Sequence, residues 1–223
     1  MIETLLPNVS WPEIGQAVLD TLIMLSSGLL FTLLLALPLG TLMYLTASGN
    51  LRAAPPVYRV LSFLVNLIRS VPFIILMITV LPLTAFLTGT TLGVRGAVPP
   101  MVIAAVPFLA RLVEIALREV DNGLIESGQA MAASTWQTIV HILLPEARPA
   151  LIAAGTVTAI ALLDYTAMAG VIGGGGLGDL AIRYGYQRFQ TDVMVVTVAL
   201  QVLLVQALQF SGDRMVLRYA QRR

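Results

Sequence analysis

Neither cysteine nor lysine occurs in the 223-residue sequence. The lack of cysteine excludes disulfides, thiolate nucleophiles and thiolate metal sites. The single histidine, His141, cannot form a metal cluster alone. A phosphate-binding P-loop needs a lysine to reach the nucleotide phosphates. The sequence therefore predicts no catalytic residues, no metal, no other cofactor and no nucleotide hydrolysis by this chain itself.

Charged residues are also scarce, at 11% of the chain, and the formal net charge is only +1. Nucleic-acid binding is excluded as the main function, because it requires clustered positive charge that neutralises phosphates. Hydrophobic residues make up 57% of the sequence, and the mean hydropathy is +0.88. This composition is typical of an integral membrane protein whose solvent is the lipid bilayer.

Five hydrophobic stretches have the length of a membrane-spanning helix, which needs about 20 apolar residues to cross roughly 30 Å of hydrocarbon. Pro72 and Pro82 interrupt the second stretch, and three prolines and two charges fall in or beside the third. We predict an all-α fold that forms a single transmembrane domain over residues 1–223. The predicted spans are about 20–46, 60–87, 97–117, 150–172 and 192–210.

The distribution of arginine predicts the orientation, because short cytoplasmic loops carry an excess of positive charge. The N-terminus is placed outside, and residues 1–15 are interpreted as an amphipathic lead-in and not as a cleaved signal. The C-terminus and residues 118–149 are then cytoplasmic. The inner segments hold Arg52, Arg59, Arg118, Arg148, Arg214, Arg218, Arg222 and Arg223, against Arg95, Arg183 and Arg188 outside.

The segment from about 121 to 145 is too polar to span a membrane but has helical patterning, and we name it the coupling segment for the role considered below. Ser134 and Gln137 have the spacing of a capping box at the start of a helix. Pro145 is expected to end that helix. Its residues Trp136, Ile139, Val140, Leu143 and Leu144 follow the spacing of a single apolar face.

A first short helix is expected over about 123–133, with many small residues on one face. Small side chains allow another surface to approach closely. From periodicity alone two interpretations remain open: an amphipathic loop folded against the membrane or the chain's own helices, or a helix that docks into a cytoplasmic partner. The small residues are Ser127, Gly128, Ala130, Ala132 and Ala133.

The coupling segment resembles the cytoplasmic loop of permease subunits of ATP-binding-cassette (ABC) importers. That loop carries Glu-Ala-Ala, a glycine after three more residues, and Ile-x-Leu-Pro after nine more. Glu126 occupies the first place, and Ile142, Leu144 and Pro145 stand at the matching distances. Ser127 and Gly128 replace the alanines. Ala132 replaces the glycine, which argues against a positive φ at that position.

Further stretches between Leu67 and Met215, among them LIRSVPFIILM, PFLARLVEIAL and DYTAMAGVIGGGGLGDL, are similar to the methionine-uptake branch of these permeases. The resemblance implies a type I importer fold in a bacterial inner membrane. It also implies a homodimer with two cytoplasmic ATP-binding subunits and an external substrate-binding lipoprotein, for a small amino-acid substrate. The coupling residues would be Glu126, Ala130, Ala133, Trp136, Ile142, Leu144 and Pro145.

Asp164 lies inside the fourth predicted span, where an acidic residue is a candidate functional site. It is expected to line the translocation pathway together with Tyr165 and Met168. The alternative is a structural ion pair with Arg69 or Arg111. The spacing of Arg111, Glu114 and Arg118 indicates a charge ladder along one helix.

Other functions remain as alternatives. The permease could carry another small amino acid or a peptide, or the chain could be an ion-gradient-driven transporter that uses Asp164, or a membrane scaffold. The spacing of the coupling segment favours the ABC importer.

The run GGGGLG at 173–178 contains the dinucleotide-binding pattern, but it follows a predicted membrane helix instead of a strand. It is interpreted as a flexible or closely packed outer loop.

Overall fold

The computed structural model describes residues 6–220, and all regular secondary structure in this range is helical. Glu3, Arg222 and Arg223 lie outside the described residues. In chain order the α-helices are α1 (Trp11–Thr46), α2 (Pro55–Arg69), α3 (Phe73–Thr79), α4 (Leu81–Thr88), α5 (Gly93–Arg118), α6 (Asn122–Ala130), α7 (Thr135–Thr138), α8 (Leu144–Glu146), α9 (Arg148–Ala169), α10 (Gly176–Leu180) and α11 (Thr191–Ala220). Two π-helical turns, Ile139–Leu143 and Ala181–Tyr186, and a 3-10 turn, Gly170–Ile172, connect some of them.

Four of these helices have the length and composition of membrane spans: α1, α5, α9 with its 3-10 extension, and α11. The number rises to five if α2 and α3, a sharply bent pair, count as one span. The predicted all-α membrane fold is confirmed, whereas the count of five spans stays a prediction.

The stretch predicted as a second span is not one continuous helix, because α2, α3 and α4 divide it. Pro72 precedes α3 with φ −55° and ψ 137°, and Pro82 lies in the first turn of α4. Proline has no N–H to donate and its ring clashes with the preceding turn, so it is favoured where a helix begins. The helix α5 nevertheless includes Pro107 and is the most enclosed of the four candidate spans, with 67% of an 18-residue apolar stretch buried.

The chain divides into two compact units. One contains the described residues up to Thr32, Val71–Ala105 and Ala159–Gln209, and the other contains Leu33–Ser70, Val106–Thr158 and the described residues from Phe210 onward. Met24, Met77, Met101 and Leu162 are among the core residues of the first unit. Leu109, Val113, Leu117, Ile125 and Leu143 are among those of the second.

The glycine run at 173–178 is closely packed. A Cβ on Gly176, whose φ is +81°, would lie 2.7 Å from the Oγ1 of Thr21, and one on Gly178 would collide with the backbone of Ala167. The backbone N–H of Leu177 donates to the same Thr21 oxygen at 2.9 Å. The run follows α9 and therefore lacks the preceding strand of a dinucleotide site. Of the two expected kinds of loop, flexible and closely packed, the structure has the packed one.

The coupling segment begins with a capped helix. The Asp121 carboxylate accepts a hydrogen bond from the backbone N–H of Gly123 at 2.7 Å, which stabilises the start of α6. That helix ends at Ala130, three residues earlier than predicted. Ala130 and Ala133 therefore do not lie on one helical face.

A Schellman motif closes α6. The backbone N–H of Ala133 donates to the carbonyl of Gly128 at 3.0 Å, and that of Ala132 donates to the carbonyl of Gln129 at 2.9 Å. Ala132 has φ +57°, so the expectation of no positive φ at this position was wrong. The motif requires the left-handed conformation at this point, and alanine adopts it at a cost of roughly 1–2 kcal/mol.

We expect Ala132→Gly to stabilise the end of α6 by about 1 kcal/mol, because glycine adopts a positive φ without a Cβ clash. Hydrogen exchange of the Ala133 amide should slow about fivefold, as 1 kcal/mol corresponds to that factor. Ala130→Gly, two residues earlier in regular helix, is the matched control and should destabilise α6 by roughly 0.5–1 kcal/mol. Equal effects of the two substitutions would contradict a strained Ala132.

Candidate functional site

The second helix of the coupling segment starts at the predicted capping box. The side chain of Gln137 accepts from the backbone N–H of Ser134 at 2.8 Å, and the Ser134 hydroxyl accepts from the N–H of Gln137 at 3.3 Å. Both halves of the box are present, so this prediction is confirmed. The box fixes the start of α7 at Thr135, and four residues separate this helix from the end of α6.

Pro145 does not end this helix, which is a correction to the prediction. The chain passes from α7 into a π-helical turn, and Pro145 then lies in the first turn of α8. A proline is tolerated in a first turn because its missing N–H has no carbonyl to pair with there. The wide π turn moves the start of the next α-helical segment to Leu144 and so creates that position.

The predicted single apolar face is also divided by this turn. Ile139 and Leu143 are buried in the core of the second unit, whereas Trp136 is 70% exposed. A π turn adds a residue to the helical repeat, so side chains on its two sides no longer follow one 3.6-residue spacing. Ile139 and Leu143 therefore anchor the segment, and Trp136 is available to a partner.

Gly128 has a role in the internal packing of the segment. A Cβ at this position would lie 2.5 Å from the Cδ1 of Ile142, so a larger residue would require the end of that side chain to shift. The small residue at the family's alanine position thus serves the chain's own hairpin, and not only the approach of a partner.

The exposed side chains of the coupling segment belong mainly to α6 and the turn after it. Glu126, Ala130 and Trp136 are exposed, whereas Ala133, Ile142, Leu144 and Pro145 are half-buried. Met131 is 84% exposed and was missed by the sequence analysis, although a large apolar residue in a polar segment was a usable signal. Glu126 also lies on the wall of an open cleft of about 530 Å³, together with Tyr44, Asn50 and Gln129.

The predicted charge ladder is present in α5. Glu114 is only 1% exposed, and its carboxylate accepts from the guanidinium groups of Arg111 at 2.6 Å and Arg118 at 2.5 Å. A buried carboxylate needs such partners, since an uncompensated charge in a low-dielectric interior is costly. The two arginines thus provide the buried Glu114 carboxylate with hydrogen-bond donors inside the second unit.

Three side chains of α2 extend this ladder into a polar contact between two helices. The Tyr58 hydroxyl donates to Glu114 at 3.0 Å, while Arg111 donates to the Ser62 hydroxyl at 2.7 Å and to the Asn66 side chain at 3.2 Å. Tyr58, Ser62 and Asn66 are spaced four residues apart, and we name their contact with α5 the polar seam. The sequence analysis missed it, although three polar residues at this spacing on an apolar helix were the signal.

The basic residues suggested as structural partners of Asp164 have other contacts. Arg111 pairs with Glu114, and the guanidinium of Arg69 lies 5.9 Å from the centre of the Phe108 ring. Among the described residues Asp164 takes part in none of the ion pairs, and its side chain is exposed on α9.

The three predicted pathway residues are divided by their orientation on α9. Asp164 and Met168, four residues apart, are both exposed. Tyr165 is half-buried, and its ring stacks on Phe73 with centroids 4.1 Å apart. The structure therefore brings Asp164 and Met168 to one face and turns Tyr165 toward the core of the first unit.

Comparison with known proteins places this geometry in a family. Residues 36–223 match the family described as binding-protein-dependent transport system inner membrane component. The methionine import system permease protein MetP of Bacillus subtilis is 47% identical over 213 residues, which cover 96% of each chain. The probable D-methionine transport system permease protein MetI of Pasteurella multocida is 42% identical over 212 residues, 95% of this chain and 98% of that protein.

Solved structures agree with this assignment. An inward-facing crystal form of the MetNI methionine ABC transporter contains a chain with a TM-score of 0.93 and 41% identity, covering 95% of this chain and 99% of that one. A chain of an amino acid ABC transporter crystallised with histidines has a TM-score of 0.76 at 17% identity, which shows the shared fold alone. The chain belongs to the family of inner-membrane components of binding-protein-dependent transport systems.

Proposed function

We propose that this chain is the permease subunit of an ABC importer for methionine. The observation that carries the proposal is the 47% identity, over 96% of both chains, to a protein described as a methionine import permease. In this function the chain is a multi-pass membrane protein with its N-terminus outside and its C-terminus in the cytoplasm. It forms one transmembrane domain of five spans, and two copies surround the pathway.

The partners in this proposal supply the steps that the chain itself does not perform. Two ATP-binding subunits hydrolyse ATP in the cytoplasm, and an external lipoprotein delivers the amino acid. Each copy of the chain converts the movement of its ATP-binding subunit into alternating access to the pathway. The absence of lysine supports this division, since the chain has no P-loop lysine of its own.

The coupling segment is the proposed docking site for the ATP-binding subunit. Trp136 and Met131 offer large exposed apolar side chains, which often supply most of the affinity at an interface. Glu126 and Ala130 complete the exposed contacts, while Ala133, Ile142, Leu144 and Pro145 position the segment from its half-buried side. The internal packing of Ile139 and Leu143 holds this arrangement in place before a partner binds.

Asp164 and Met168 are proposed to face the translocation pathway, with Tyr165 supporting their helix through its stacking on Phe73. A charged side chain facing lipid at mid-membrane costs at least about 2.5–3.5 kcal/mol. Several exposed residues of α11 in the same unit are apolar, as expected for contact with lipid, among them Val195, Val198, Val202 and Leu203, and the exposed Gln206 and Gln209 are uncharged. The exposed face of α9 differs, because it carries a carboxylate.

Uptake by reconstituted vesicles tests the proposed function. The chain, an ATP-binding subunit and the binding lipoprotein should together import methionine only when ATP is present on the cytoplasmic side. Ionophores should have no effect, and the chain purified alone should not hydrolyse ATP. Uptake driven by an ion gradient without ATP would instead identify a secondary transporter that uses Asp164.

Docking of the coupling segment predicts a large effect of Trp136→Ala. Loss of a central aromatic contact typically costs 2 kcal/mol or more, so the affinity for the ATP-binding subunit should fall at least about tenfold. Binding is measured by titrating the detergent-purified permease with the ATP-binding subunit. The chain has two tryptophans, and Trp11→Ala, at the exposed start of α1, is the matched control. Equal affinities of the two variants would show that Trp136 does not dock.

A pathway position predicts that the charge of Asp164 matters for uptake and not for folding. We expect Asp164→Asn to leave the thermal melting and the assembly of the complex unchanged while it lowers the rate of methionine uptake. Asp164→Glu, which keeps the charge, should retain more activity. If Asp164→Asn raises the melting temperature and leaves uptake at the wild-type rate, the residue does not serve transport.

A further inference from the structure

The helix α2 has an exposed apolar side and a polar side that contacts α5. Its exposed residues include five large apolar ones, whereas the polar side chains of Tyr58, Ser62 and Asn66 form hydrogen bonds with α5. Val65 is its one buried residue among those described. The exposed apolar residues are Val57, Val60, Phe63, Leu64 and Leu67.

This arrangement makes the polar seam the main specific contact of α2. In lipid the apolar face gives no hydrophobic driving force for packing on another helix, since the hydrocarbon tails are equally apolar. Hydrogen bonds between helices therefore provide much of the attachment. The seam supplies them at three successive turns, through Tyr58, Ser62 and Asn66.

The α5 side of the seam is held in place independently of α2. Glu114 pairs with Arg111 and with Arg118, and all three lie on α5. Arg111 uses one guanidinium nitrogen for Glu114 and the other for Ser62 and Asn66. The ladder thus orients the donors that α2 contacts, and one hydrogen-bonded network includes both helices.

The network lies next to the coupling segment along the chain. Arg118 is the last residue of α5, and α6 begins at Asn122 after the capping residue Asp121. Arg118 also donates to the Tyr58 hydroxyl at 3.0 Å. A displacement of α6 therefore acts on the end of α5, and the polar seam begins at that end.

We propose that Tyr58, Ser62 and Asn66 are positioning residues that make α2 move with α5 when the ATP-binding subunit displaces the coupling segment. The seam is the mechanical connection, and it transmits the displacement without a covalent link between the helices. This inference rests on the proposed function, because it assumes an ATP-driven partner at the coupling segment.

The test removes the α2 side of the seam and leaves the ladder in α5 intact. The variant Tyr58→Phe/Ser62→Ala/Asn66→Ala is reconstituted as the full importer with the ATP-binding subunit and the binding lipoprotein. The number of ATP molecules hydrolysed per methionine imported should rise roughly tenfold, within the range usual for coupling between two sites. Ser70→Ala is the matched control, because its hydroxyl donates only within its own helix end, to the carbonyl of Asn66, and the ratio should stay at the wild-type value.

A distance measurement separates this role from a merely structural one. The chain has no cysteine, so labels are placed on cysteines introduced at Phe63 in α2 and Ile115 in α5, both exposed. In importers with one labelled copy, ATP should leave this distance unchanged when the seam is intact and alter it in the triple variant. If the triple variant does not assemble, Tyr58→Phe alone is measured and should shift the ratio in the same direction.

Two results would overturn the proposal. One is a wild-type ATP-to-methionine ratio in the assembled seam variant, and the other is a Phe63–Ile115 distance that changes with ATP while the seam is intact. A failure of the proposed function looks different, since the wild-type importer would then show no ATP-dependent methionine uptake at all.

Discussion

Hydrocarbon offers no hydrogen-bond partner to a peptide group or to a charge, and the architecture of this chain follows from that constraint. Every backbone polar group that enters the bilayer must pair within its own segment, which accounts for the long helices α1, α5, α9 and α11. The same constraint reverses the arrangement that is usual in water-soluble proteins, where apolar side chains are buried and charged side chains are exposed. Large apolar residues are exposed, and the buried carboxylate of Glu114 is enclosed by two arginines.

Attachment between helices then depends on polar contacts and close packing, since apolar burial gives little advantage over contact with lipid. The seam between α2 and α5 is the polar form of this attachment. The packed glycines near α9 are the steric form, because the backbone there approaches Thr21 and Ala167 too closely for a side chain. Both attach neighbouring parts of the chain to one another through specific contacts.

The helix ends of the coupling segment are capped in the way that is typical of short helices in water. It uses a side-chain cap at Asp121, a Schellman motif at Ala132 and a capping box at Ser134, and each satisfies backbone groups that water would otherwise pair. Its core-facing residues Ile139 and Leu143 fix it to the second unit. The exposed Trp136 and Met131 remain outside that core, so the segment presents a preformed surface instead of folding only when a partner binds.

Composition, charge and residue spacing were enough to predict the all-α membrane fold, the capping box and the charge ladder of Glu114, because each depends on residues that are near one another in the chain. The family was predicted from the resemblance of several stretches of the sequence to known permeases. The sequence also carried the residue types of the seam, but not the fact that α2 turns them toward α5. The left-handed Ala132 and the π turn before Pro145 are departures from regular helix that residue type and spacing do not indicate, and the orientation of Tyr165 toward Phe73 depends on a contact between distant segments. Local sequence patterns do not indicate these three features, and only the tertiary structure determined them.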